Sequence, residues 1–153
     1  MRPIASICLA TVLAACATAP PAPPIETVRS VSGTPDEARE RIQAAASGLG
    51  LAAQAEPGPG LRLASTGAPP EWADCPTIVI RSDGEVVNRV DFAAPQARMA
   101  EVSVGLVPAG QGTTVSLSPS FSATYRDIFR NLPRTGPCAS TGVLERTLLD
   151  AAG

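Results

Sequence analysis

The sequence predicts an α+β domain: an antiparallel sheet of about five to six strands, with an N-terminal and a C-terminal helix packed on one face. Three observations carry this. A capped amphipathic run spans Thr34 to Leu49, a series of period-two segments runs from Leu61 to Thr124, and a second amphipathic run lies near the end, at Gly142 to Ala151. Strands gathered between helices, rather than alternating with them, point to an α+β and not to a doubly wound fold. The chain has 153 residues, room for one domain.

From Glu26 the chain alternates: Val28 and Ser30 share one face, while Thr27, Arg29 and Val31 share the other. This reads as a first strand. Thr34-Pro35-Asp36-Glu37 then combines a capping hydroxyl, a proline at the first helical position and a glutamate three residues after the cap. Ala38, Ile42, Ala45 and Leu49 fall on one stripe, Glu37 and Arg41 are spaced to pair, and Gly48 and Gly50 mark the stop.

Strand material follows. Leu61 and Leu63 point one way and Arg62 the other, and Thr77 to Arg81 is β-branched. Asp83-Gly84 suits a tight hairpin turn, from which Glu85 to Phe92 returns antiparallel. Ala100, Val102, Val104 and Leu106 alternate with Glu101, Ser103 and Gly105, and Gly110-Gln111-Gly112 makes a second hairpin turn. Val115, Leu117, Phe121 and Ala123 are interleaved with Thr114, Ser116, Ser118, Ser120, Ser122 and Thr124, as in a sheet with one greasy and one solvated, hydroxyl-rich face. Pro119 cannot donate to a ladder and so places its strand at an edge or at a bulge. Asn131 to Pro137 reads as a loop. In the last helix Ser140, Thr141 or Gly142 is the cap, Glu145 favours the positive end, and Leu144, Leu148 and Ala152 form the packing stripe, with Val143 alongside.

The amino terminus has a different character. Arg2 supplies a positive start, and Ile4 to Ala15 is an uncharged, largely apolar stretch ending in small residues. The stretch is too short for the roughly 20 residues of a membrane-spanning helix. Its end, Leu13-Ala14-Ala15-Cys16, resembles the lipobox of bacterial lipoproteins. That resemblance implies a signal peptide over residues 1–15, removed before Cys16, and acylation of that cysteine. Ala17 rather than aspartate after the cysteine implies the outer membrane, by the sorting pattern of that family. Residues 16–25 then form a lipidated, Pro/Ala-rich tether containing Pro20, Pro21, Pro23 and Pro24, a semi-rigid spacer, and residues 26–153 form the periplasmic domain. The element order is similar to that of envelope lipoprotein domains of the BamC type, and this similarity carries no residues over. Cys138 to Glu145 resembles C-terminal segments of uncharacterised proteobacterial lipoproteins, with local jobs in a disulfide, a helix cap and a core anchor.

Composition narrows the chemistry. The sequence has no His, which removes the usual general base and the commonest metal ligand, so neither a metal nor a cofactor is expected. A formal charge of −2 argues against nucleic acid as a partner. Cys8 leaves with the signal and Cys16 takes lipid, so Cys75 and Cys138 remain, an even pair in an oxidising compartment and hence a disulfide. Asp83, Asp91, Glu101 and Asp127 are the carboxylates available to an acid/base pair, but spacing joins none of them. Trp72 beside Pro69-Pro70-Glu71 is either a loop anchor over the core or part of a binding surface. Tyr125, Arg126, Phe129 and Arg130 suit an interface or a solvated turn with two core rings. The expected protein is a non-enzymatic lipoprotein, bound to the bilayer through Cys16, with a structural, assembly or protein-binding role toward another envelope protein. The alternative is a periplasmic module for small ligands or peptidoglycan fragments; one Trp, one Tyr and three Phe leave little aromatic surface for sugar stacking.

Overall fold

A computed structural model describes residues 23–56, 58, 60–75, 80–82, 85–88, 97–127 and 131–153. Residues 1–15, expected to be a signal peptide, Cys16, most of the expected tether, and the expected turn at Asp83-Gly84 lie outside the described residues. The chain runs β1 (Val28–Ser32), α1 (Pro35–Gly48), β2 (Ala52–Ala55), β3 (Leu61–Ser65), a 3-10 turn (Pro70–Trp72), β4 (Ala73–Asp74), β5 (Ile80–Ser82), β6 (Glu85–Asn88), β7 (Ala97–Ala109), β8 (Gly112–Asp127), β9 (Leu132–Ser140) and α2 (Val143–Ala152).

The class is α+β, and the sheet is antiparallel. Its seven strands exceed the expected five to six. The order is β2-β3-β7-β8-β9-β4, with β1 also on β8, while β5 and β6 form a separate two-stranded pair. β7 and β8 join through Gly110-Gln111, with Ala109 opposite Gly112, the hairpin anticipated there.

Helix α1 begins as its sequence dictates. The Thr34 hydroxyl accepts from the Glu37 amide at 3.3 Å, and the Thr34 amide donates to the Glu37 carboxylate at 2.7 Å. It ends in a Schellman motif: the Gly50 amide donates to the Ser47 carbonyl, and the Leu51 amide reaches back to that of Ala46. Gly50 has φ +76°, a conformation that a side chain disfavours. The buried stripe is Ala38, Ile42 and Ala46, with Leu49 partly buried; Ala46 takes the place expected for Ala45. Arg41 caps the carbonyl of Ser32 at 2.8 Å instead of forming a close ion pair with Glu37. In α2, Leu144, Leu148, Leu149 and Ala152 are buried, whereas Val143 is exposed.

The core is one cluster. Helical residues Ile42, Leu144 and Leu148 meet strand residues Leu61, Leu63, Val102, Val104, Leu106, Val115, Leu117 and Phe121. Helix α1 touches α2, β7 and β8, and α2 touches β1 and β8. Among the described residues no helix is long and apolar enough to cross a membrane.

Two expectations are corrected, and one strand arises where no element was expected. Pro119 does not mark an edge. Its strand, β8, is central, with Pro119 opposite Val102 of β7. On the other side β8 pairs with β1 as far as Ser116 and with β9 from Phe121 onward, so Pro119 sits where one neighbour has ended and the next has not begun. A missing N–H costs no ladder bond there. The segment Asn131 to Pro137 is not all loop: Leu132 to Cys138 pairs with β8. Pro133 and Pro137 stand four residues apart, on the same parity of a strand whose outer side is paired only at Ala139 and Ser140 among the described residues. Such an edge accepts a proline. Finally, β2 was not expected, because Ala-Ala-Gln-Ala has helix-forming composition; pairing with β3 decides it.

Replacing Thr34 by Ala is expected to lower unfolding free energy by about 1 kcal/mol, read from the urea midpoint. The Thr34 amide, then its hydroxyl, hold the Glu37 carboxyl below its ordinary 4.5. That contribution is complete above about pH 4.5 and is lost as the pH falls through the lowered folded value. Glu37→Gln should therefore flatten the acid side of the stability profile and leave its neutral-to-alkaline shape unchanged.

Candidate functional site

Of the residues expected to carry chemistry or contacts, Trp72, Cys75 and Cys138 gather at one corner, where β4 meets β9 and α2 begins. Cys75 follows β4, Cys138 lies on β9, and the two form a disulfide across a separation of 63 residues, with Cα atoms 4.3 Å apart. Beside the bond, Ala73 pairs with Ser140 and Asp74 with Ala139. The Thr141 amide donates to the Trp72 carbonyl at 3.1 Å, and the Thr141 hydroxyl to that of Glu71 at 2.6 Å. A short segment with little strand of its own is thus bound to β9 and its exit by ladder, hydroxyl and sulfur.

The start of α2 is organised by Ser140. Its hydroxyl accepts from the Gly142 amide at 3.0 Å and donates to the carboxylate of Glu145. Ser140 is therefore the residue that ties off the helix start, two positions before the helix-capping Gly142, which has no side chain with which to do so. Glu145 is fully buried, and its second carboxylate oxygen has no partner among the described residues. No chemistry is required of the segment Cys138 to Glu145: disulfide, cap and core anchor account for its residues.

Two of the aromatic candidates, Trp72 and Tyr125, are interior. Trp72 is 4% exposed and belongs to the core cluster, and Tyr125 is 3% exposed. Neither ring is presented to solvent. Arg126 is exposed and donates through Nε to the side chain of Asn131 at 2.8 Å. Phe129 and Arg130 lie outside the described residues, as do Asp83 and Asp91. Asp127 ends β8 opposite Leu132. Glu101 forms a 2.6 Å ion pair with Arg62 of the neighbouring strand, and this contact raises the Arg62 pKa. Both side chains are more than a third exposed, so solvent screens the pair. Among the described residues no three of His, Cys, Asp and Glu are grouped to hold a metal ion.

Sequence reading did not reveal the two hollows. One, of about 440 Å³, lies between Pro23–Glu26 and the corner of Ser140, Thr141, Gly142 and Arg146. The other is a shallow groove of about 640 Å³ bounded by Ala52, Gln54, Ala64, Ser65, Met99 and Glu101. Neither has an aromatic wall. Both are assembled from residues distant in sequence, and no local pattern announces them. The hydroxyls of β8 alternate with buried Val115, Leu117, Phe121, Ala123 and Tyr125, as expected; two of them are already engaged, Ser116 with the Gly105 carbonyl and Thr124 with Thr135.

Ser140→Ala strips the Gly142 amide and the buried Glu145 carboxylate of their partner together. A loss of about 1–3 kcal/mol in unfolding free energy is expected. Reducing the disulfide should lower it by roughly 2–4 kcal/mol, because the open chain regains entropy in the unfolded state. Urea titrations with and without reductant check both.

Compared with models of protein families, with curated proteins and with solved structures, the chain matches none.

Proposed function

We propose that this chain is the precursor of an outer-membrane lipoprotein, cut before Cys16 and held to the bilayer by lipid on that cysteine, with its domain in the periplasm. The observation that carries the reading is Leu13-Ala14-Ala15-Cys16 at the end of an uncharged apolar stretch that follows a basic start. The Cys75–Cys138 disulfide supports it, since such bonds persist in oxidising compartments. Several acyl chains at about 0.8 kcal/mol per buried CH₂ hold far more firmly than one. Ala17 supports the outer membrane, and the proline-rich stretch that follows serves as a spacer.

The role of the anchored domain is non-catalytic: structural, in assembly, or in binding another envelope protein. Both helices cover one face of the sheet in this reading, and the hydroxyl face is left for contact. Strand addition, one route to a partner, does not use Pro119, since β8 is central. The edges open to it among the described residues include β2, whose Ala52, Ala53 and Gln54 are exposed, and the outer side of β9.

A second reading is a small-ligand or peptidoglycan-fragment module. The 640 Å³ groove with its Gln54, Ser65 and Glu101 favours it, and the missing aromatic wall weighs against a stacked sugar.

The test is the intact mass of the protein extracted from its host's membranes, with and without reductant. The expected result is loss of residues 1–15 together with added acyl mass, and a further gain of two hydrogens on reduction. A mass without acyl groups overturns the anchor.

A further inference from the structure

The hollow at the start of α2 has the chain's own amino-terminal segment as one wall, and this determines how an anchored domain stands on its membrane. From Glu26 onward that segment is part of the domain. The Glu26 carboxylate pairs with Arg29 at 2.7 Å, Arg29 pairs with Asp150 of α2 at 2.6 Å, and the Thr27 carbonyl accepts from the Leu117 amide at 2.7 Å. Ile25 is seated on the backbone of Gly142: a Cβ added to that glycine, itself at φ +80°, would stand 3.2 Å from two carbons of the Ile25 side chain. Pro23 and Pro24 continue the same wall against Ser140, Thr141 and Arg146.

Cys16 to Pro23 is seven peptide steps, at most roughly 25 Å of fully extended chain. A domain of this size is about 35 Å across, so the leash is shorter than the body it holds. The corner it leaves from is also apolar. Ile25 is 40% exposed and Val143 is 38% exposed, two of six large apolar side chains exposed among the described residues, and these two flank Gly142. Beside them Arg146 is exposed and makes no side-chain hydrogen bond or ion pair among the described residues. Of the carboxylates lining this hollow, Glu26 is already paired with Arg29.

We infer that this corner, formed by Pro23–Ile25 and the first turn of α2, is the membrane-facing surface of the domain. Ile25 and Val143 rest in the interfacial layer of the bilayer that holds the Cys16 lipid, and Arg146 meets lipid phosphate. The β7–β8 turn at Gln111 points away, because α2 runs from this corner toward Val31, which Gly153 approaches, and β1 ends opposite Gly112. The inference rests on the anchor proposed above.

The lipidated full-length protein, with its mass verified, is reconstituted in phosphatidylethanolamine–phosphatidylglycerol vesicles carrying brominated acyl chains. Val143→Trp and Gln111→Trp are compared by fluorescence quenching; the buried Trp72 contributes the same background to each. Several-fold stronger quenching at position 143 is expected. Equal quenching at both positions, or stronger quenching at 111, overturns the orientation while leaving the anchor intact. Should the Val143 variant not fold, hydrogen exchange compares the otherwise unaltered vesicle-bound protein with the unlipidated Cys16→Ser form. Protection gained over 141–146 and not over 109–112 supports the orientation, and the absence of that difference overturns it. A mass lacking acyl groups sinks the anchor and this inference together.

Discussion

β8 is the strand on which the other elements depend. It is the longest element, at 16 residues, and pairs along one side with β7 and along the other with β1 and then β9. Because side chains alternate along a strand, its register assigns both faces of the sheet together. Val115, Leu117 and Phe121 go to the core cluster with the helices, and the hydroxyls between them go to the opposite side. A slip of one residue would exchange the two sets, burying serines and exposing the core. Pro119 fits this scheme because the two partners on one side meet there without overlapping. The sheet tolerates a central proline at the one place where its missing donor has no acceptor to serve.

The second organising feature is the corner where β4, β9 and α2 converge. β4 is only two residues long, too little to hold itself by ladder bonds alone. The disulfide and the two donations from Thr141 hold it against β9, and Trp72, immediately before it, fills the core from that side. A serine takes two roles here, satisfying an amide at the helix start and an oxygen of the buried Glu145. The corner is thus built by short-range contacts between segments far apart in the chain. The segment Pro23–Glu26 docks on the same corner, with Ile25 against Gly142.

Local chemistry determined a good deal. Thr34-Pro35-Asp36-Glu37 could hardly be anything but a helix start, since cap, proline and returning glutamate each satisfy or dispense with a free amide of the first turn. The period-two alternation of 100–106 and 114–123 specified strands with one buried face, and the two-residue turn between them followed from Gly110. The disulfide expected between Cys75 and Cys138 is present, joining two segments 63 residues apart in the chain.

What only the tertiary structure decided are the cases where local signals are weak or contrary. Ala52–Ala55 becomes a strand through pairing with β3, and Leu132–Ser140 does so through β8 despite two prolines, because an edge supplies what the sequence alone withholds: a side on which no donor is required. Trp72 and Tyr125 read as binding or packing residues, with packing the commoner case for each, and burial places them in the interior, a property of what surrounds a residue and not of the residue. Neither hollow has a local signature, since each is the space left between elements brought together from distant parts of the chain. The sequence by itself determined where α1 begins, which face of the long strands is apolar, and where the β7–β8 turn lies. The fold decided which strand is central, which edges stay open and which segments meet at the start of α2, because those depend on partners that no short stretch of chain contains.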